Sequence, residues 1–163
     1  MKKIFLLTII VAVLSISVFA QAKLNQKISD VRAFLIYEEN GEMSRNILDG
    51  KFTFWNTVIG EGDAEGHSSS TLIHIVIDKD ASKSDIYPVL QFTAVSEDKK
   101  QVNYKTTVDY FFPTEGKSRV FVPFLLHNTG CQKITMTIKL INHRKPQNAY
   151  QTVKKVIPFL CGE

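Results

Sequence analysis

Between residues 60 and 67 the chain reads Gly60-Glu61-Gly62-Asp63-Ala64-Glu65-Gly66-His67, with an acidic side chain or a histidine at every second position. Carboxylates spaced this way on a flexible loop can converge on a hard cation such as calcium, which takes several oxygen ligands. Glu61, Asp63 and Glu65 are the ligands of that calcium-dependent alternative, and His67 completes the candidate binding set. The spacing is not that of the twelve-residue calcium loop. The loop is therefore read as solvated, with glycines that serve backbone geometry and no metal. Its Gly-x-Gly pattern is no nucleotide loop, because the loop is acidic and no helix follows to receive a phosphate.

Other chemistry is thinly represented. A histidine–carboxylate–serine set could be drawn from His67, Asp109 and Ser69, but nothing in their spacing recommends it. A secreted hydrolase is a second alternative; the expectation is a protein with no catalytic residues and no cofactor. His127 and His143 fall in or beside expected loops, and His74 lies opposite the isoleucines of its strand. Lys139, Arg144, Lys145, Lys154 and Lys155 gather near the end of the chain, where lysines on an edge strand serve to block sheet-to-sheet aggregation. No nucleic-acid partner is expected.

The elements that would position these groups are strands. Phe52 to Ile59 alternates with large apolar groups on both sides, which suits an inner strand, and Trp55 is expected to fill the space between two sheets. Val31–Tyr37 is rich in strand-favouring residues, Leu72–Ile77 alternates, Val102–Tyr110 recurs at period two, and Val89–Val95, Val120–Leu126 and Val153–Phe159 read as further strands. The cleanest case sets Ile134, Met136, Ile138 and Leu140 against Lys133, Thr135, Thr137 and Lys139, one buried face and one wet. Turn signals such as Asn40-Gly41, Asp49-Gly50 and Pro113-Thr114-Glu115-Gly116 separate the runs. The pattern predicts an all-β, two-sheet antiparallel sandwich of seven or eight strands, immunoglobulin-like or C2-like.

The chain opens Met1-Lys2-Lys3, runs apolar from Ile4 to Ala20 and exits through small residues, the three parts of a secretory signal. Residues 1–20 are read as the signal, cleaved after Ala20 (Ala22 is the alternative), and 21–163 as one sandwich domain. An uncleaved anchor is the rival reading, the run being about long enough to span a bilayer. Without Lys2 and Lys3 the formal charge of +4 falls to +2, so much of the basicity is targeting. No membrane span is expected after cleavage. Cys131 and Cys161, the only cysteines, read as one disulfide in an oxidising compartment. If the last two strands form a hairpin, apolar matching pairs Ile134 with Phe159, Met136 with Ile157 and Leu140 with Val153, with an irregular end near the cysteines. Different sheets, with the bridge crossing the sandwich, are the alternative.

The Trp55-Asn56-Thr57-Val58-Ile59-Gly60-Glu61-Gly62 stretch, the Ala64-Glu65-Gly66 after it and the Cys161-Gly162-Glu163 ending resemble a group of exported bacterial proteins of uncharacterised activity. The resemblance implies bacterial export and a small disulfide-closed domain, and carries over no site residue. The expected function is a non-enzymatic binding or structural role in the periplasm, at the envelope or outside the cell. Recognition of a protein or glycan would fall to the Gly60–Ser70 loop.

Overall fold

The computed structural model describes residues 26–79, 88–109, 118–143 and 145–162. The leader, its cleavage site, the 113–116 turn and Arg144 lie outside them. Seven strands are present: β1 (Gln26–Ile36), β2 (Ser70–Lys79), β3 (Pro88–Ser96), β4 (Asn103–Val108), β5 (Arg119–His127), β6 (Ile134–Asn142) and β7 (Lys145–Ile157). They form two antiparallel sheets, ordered β1-β2-β5 and β4-β3-β6-β7. The chain crosses between the sheets after β2, β4 and β5, and its other connections stay within one sheet. Among the described residues the single short helix is a 3-10 turn, Thr57–Ile59, and no helix is long and apolar enough to cross a membrane.

Period-two patterning puts Val31, Ala33 and Leu35 of β1, Ile73, Ile75 and Ile77 of β2, and Val122, Phe124 and Leu126 of β5 on the inner face of the smaller sheet. Leu90, Phe92 and Ala94 of β3 and Ile134, Met136, Ile138 and Leu140 of β6 face them from the larger one. Phe92 stacks on Phe124 across the gap, ring centres 4.5 Å apart. Such a pair contributes about 0.5–1.5 kcal/mol beyond its buried area.

Two elements differ from expectation. Phe52 to Ile59 is not an inner strand. Only an isolated parallel bridge joins Trp55 to Leu160, and Asn56, in the left-handed conformation at φ 46°, ends the extended run. Phe52 and Phe54 instead plug one end of the core: Phe54 contacts Phe52 at 5.1 Å and Phe159 at 5.7 Å. Trp55 is 45% exposed, so it does not fill the space between the sheets.

The last two strands do form a hairpin, but Ile134 pairs with Ile157, Met136 with Lys155 and Ile138 with Val153. This lies two residues from the apolar match. Because side chains alternate at period two, a slip of two leaves Val153 and Ile157 on the inward side. Phe159 is drawn out of the ladder into the aromatic plug. Two residues then separate Cys131 from Ile134 and three separate Ile157 from Cys161, so the end beside the disulfide is irregular. Further register shifts fall at Ile141 and Asn142.

The two sheets meet along β1 and β7 through one side chain. The Ile28 N–H donates to Gln151 Oε1 (2.8 Å), and Gln151 Nε2 donates to the Ile28 carbonyl (3.0 Å). The amide stands in for a peptide unit of a missing strand and satisfies both backbone groups.

Candidate functional site

Between β1 and β2 lie 33 residues, 37 to 69, whose only regular element is the 3-10 turn. They are nevertheless tied down. Residues 44–47 run along the edge of β1: Ser44 N–H donates to the Leu35 carbonyl, Ile47 N–H to that of Ala33, and Ser44 Oγ and Asn46 Oδ1 accept from the N–H groups of Leu35 and Ala33. Side-chain oxygens thus replace part of a strand.

The acidic loop is held from several directions. Asp63 Oδ2 accepts from Thr53 N–H at 3.0 Å and from Arg45 Nη2 at 3.1 Å. Glu61 Oε2 accepts from Asn56 Nδ2 at 2.7 Å, and Glu65 N–H donates to the Tyr37 hydroxyl. His67 pairs with Glu39, its Nδ1 3.3 Å from Oε1, while its backbone N–H donates to the same oxygen. That backbone bond comes first among the causes holding the Glu39 carboxyl below its usual range. Gly62 (φ 69°) is required twice over, since a Cβ there would stand 2.5 Å from the Thr53 carbonyl oxygen. Each carboxylate is turned to its own scaffold contact or to solvent. Among the described residues no three His, Cys, Asp or Glu side chains gather closely enough to hold a metal ion.

Asn56 is the hub that sequence reasoning missed. Its carbonyl accepts from Ile59 and Glu61 N–H, its own N–H donates to the Leu160 carbonyl, and its Oδ1 accepts from Gly162 N–H at 2.8 Å. The signal was available: asparagine is one of the few residues that tolerates a left-handed turn, and here it precedes Gly60 and Gly62. The chain end therefore lies beside residues 54–56 as a short parallel strand, with the Trp55 ring over Gly162, where a Cβ would meet it at 2.5 Å. The Cys131–Cys161 disulfide, Cα atoms 4.7 Å apart, fixes that end to the loop after β5.

Serine and histidine do meet, though not in the His67, Asp109 and Ser69 set that could be drawn from the sequence. Ser69 donates to Glu38 from both N–H and Oγ, and Asp109 follows β4 in the other sheet. The pair that forms is Ser70 Oγ with His127 Nδ1, 3.1 Å apart. His127 is exposed, and among the described residues no carboxylate takes its other ring nitrogen. Among the described residues this pair has no third, orienting carboxylate of the kind a hydrolytic triad uses.

One open depression of about 320 Å³ lies beside the disulfide, lined by Glu97, Asp98, Cys131, Gln132, Lys133, Phe159 and Leu160. Its charges engage one another. Lys133 Nζ donates to Glu97 at 2.8 Å, and Asp98 accepts from Ser96 Oγ and from the Lys100 and Gln101 N–H groups. The Ser96 bond foremost, with those N–H groups behind it, lowers the Asp98 carboxyl to about 2. The depression lies over a turn that these bonds cap.

No family model matches the sequence, and no curated protein matches it. Among solved structures, the chain is similar to part of a Bifidobacterium dentium β-glucuronidase complexed with coumarin-3-O-glucuronide. The likeness covers 83% of this chain and 18% of the glucuronidase, at 9% identity and a TM-score of 0.44. The chain thus spans less than a fifth of that enzyme, and a likeness of this degree carries no argument about activity.

Proposed function

We propose that this chain is an exported, non-enzymatic sandwich that works by binding, through the segment 37–69, which holds all of the Gly60–Ser70 loop but its last residue. One observation carries the reading. Loops longer than about 12–15 residues without secondary structure are uncommon in compact domains and are usually functional or disordered. This one spans 33 residues, is fixed by hydrogen bonds, and exposes Met43, Trp55 and Ile59 beside the carboxylates of Glu61 and Glu65. An ordered, amphipathic surface on a rigid frame is what recognition asks for. The joined cysteines fit an oxidising compartment, and the leader pattern supports export.

A glycan array and envelope-fraction crosslinking, run with the processed chain and with Trp55→Ala and Glu61→Gln variants of unchanged circular dichroism, test the reading. Binding that falls at least about tenfold in the Trp55 variant supports it, that being a hot-spot-sized loss. Binding indifferent to both substitutions removes the loop as the contact region. A calcium titration with thermal melting addresses the calcium-dependent alternative, which needs a rise in melting temperature at millimolar calcium.

A further inference from the structure

The outer face of the four-stranded sheet carries charge of one sign only. The register across β4, β3, β6 and β7 sets Lys105, Thr93, Thr137 and Lys154 in one row, a lysine at each end and two threonines between. The row on one side adds Lys139 and Gln91, and the row on the other has no charge. No side chain in these three rows is acidic, and none is aromatic. Beyond the rows Asp109 follows β4 at one end, and at the other Glu97 is taken by Lys133 at 2.8 Å. Lys105, Lys139 and Lys154 form no ion pair among the described residues, whereas Arg32 and Arg119 of the other sheet are each joined to an aspartate.

Edge protection accounts for only part of this pattern. A lysine on an edge strand guards against sheet pairing, which covers Lys105 on β4 and Lys154 on β7. Lys139 stands on β6, an inner strand, between Gln91 of β3 and Thr152 of β7. Charge is also segregated over the molecule. Residues 37–69 hold seven of the sixteen acidic side chains and two of the twenty Lys and Arg, so the sandwich frame keeps the positive excess even without Lys2 and Lys3.

Spacing and chemistry select the occupant. With strands about 4.8 Å apart, Lys105 and Lys154 are rooted about 14 Å from each other, and Lys139 is about 8 Å from Lys154. A nucleic-acid strand is charged about every 3.4 Å and is gripped by stacking aromatics or arginine forks, and the three rows offer neither. An anionic membrane surface asks for aromatic or long apolar anchors, and the only apolar side chains in the rows are Val95 and Val156. What the rows present is widely spaced cations with hydroxyl and amide groups between them, complementary to a chain whose negative charges are set among sugar hydroxyls. We propose that this face binds a linear polysaccharide bearing spaced carboxylates. The polymer lies across the strands, its carboxylates on Lys105, Lys139 and Lys154 and its hydroxyls on Thr93, Thr137 and Gln91. The assignment lies apart from the 37–69 segment and does not rest on recognition there.

Affinity electrophoresis of the processed chain through gels containing hyaluronan, alginate or neutral dextran tests this, with oligothymidylate and phosphatidylglycerol vesicles titrated alongside. Both acidic polysaccharides should retard the chain, and dextran should not. In variants of unchanged circular dichroism, Lys105→Gln, Lys139→Gln and Lys154→Gln combined should weaken the retardation at least about tenfold, the loss expected when charge-assisted bonds go. The charge-matched set Lys27→Gln, Lys51→Gln and Lys79→Gln, at exposed positions off this face, should leave it unchanged. Thr93→Val with Thr137→Val keeps the charge and the β-branched shape, and should still weaken retardation severalfold. The proposal is overturned by a chain that ignores both acidic polysaccharides, by an equal loss in the two lysine sets, by indifference to the threonine pair, or by tighter binding to oligothymidylate or to the vesicles. Trp55→Ala should keep full retardation. Loss there, with the Lys105, Lys139 and Lys154 variant unaffected, places the polymer on the loop and removes the face, whereas retardation by the face in a chain whose loop binds nothing removes the recognition reading alone.

Discussion

At the residue scale, Asn56 has the largest structural task in the candidate site. Its left-handed backbone turns the chain out of the aromatic run, and its amide joins Glu61 to Gly162 N–H. Alanine would lose both side-chain bonds and hold a strained backbone, at a cost of about 2 kcal/mol; glycine relieves the strain and costs about 1. Urea denaturation of Asn56→Ala and Asn56→Gly is expected to rank them in that order below the parent. Equal stability of Asn56→Ala and the parent would contradict the hub. The same residue shows why the site was only partly legible. The Glu61–His67 alternation stood out, but alternation in sequence became convergence in space only if the loop lay flat. Asp63 folded back on Thr53 and Arg45, and His67 turned to Glu39. Those partners lie 10 to 28 residues away in sequence, beyond the reach of local spacing.

At the element scale, strand patterning read well where burial on one face dictated it. Ile134, Met136, Ile138 and Leu140 line the core and alternate with less buried partners, as expected. Phe52–Ile59 was misleading because apolar residues at period two can plug an end as readily as they line a strand; the φ of Asn56 decided between them. Hairpin register escaped by two residues because Phe159 was counted in the ladder, whereas the aromatic plug claims it. The junction of the sheets had no sequence signal, since Gln151 is one polar residue among several on β7. Its role has a measurable consequence. Gln151→Ala leaves the Ile28 N–H and carbonyl without their partners, and loss of this pair is expected to cost about 1–2 kcal/mol. Amide exchange at Ile28 should quicken while exchange at Ile75, paired on both sides, keeps its protection. Unchanged exchange at Ile28 would mean that the seam is held by packing alone.

At the scale of the whole molecule, the disulfide and the chain end act as one device. The bridge closes a separation of 30 residues that contains the β6–β7 hairpin, and it anchors the segment lying beside residues 54–56. A loop of that size constrains the unfolded chain by about 3–4 kcal/mol. The double variant Cys131→Ser, Cys161→Ser should therefore keep the sandwich, which owns a continuous core, and lose roughly that much stability to urea. The backbone bonds of Leu160 and Gly162 would then have to hold the tail unaided, and two or three exposed hydrogen bonds are worth about 1 kcal/mol each. Release of Gly162 uncovers the Trp55 ring on the side it now shields, so the emission of this sole tryptophan should move to longer wavelength before the sheets unfold. Because the same ring belongs to the proposed contact surface, binding should weaken together with the spectral change. Loss of stability without any change in Trp55 emission would separate the bridge from the loop and leave it a staple of the hairpin alone.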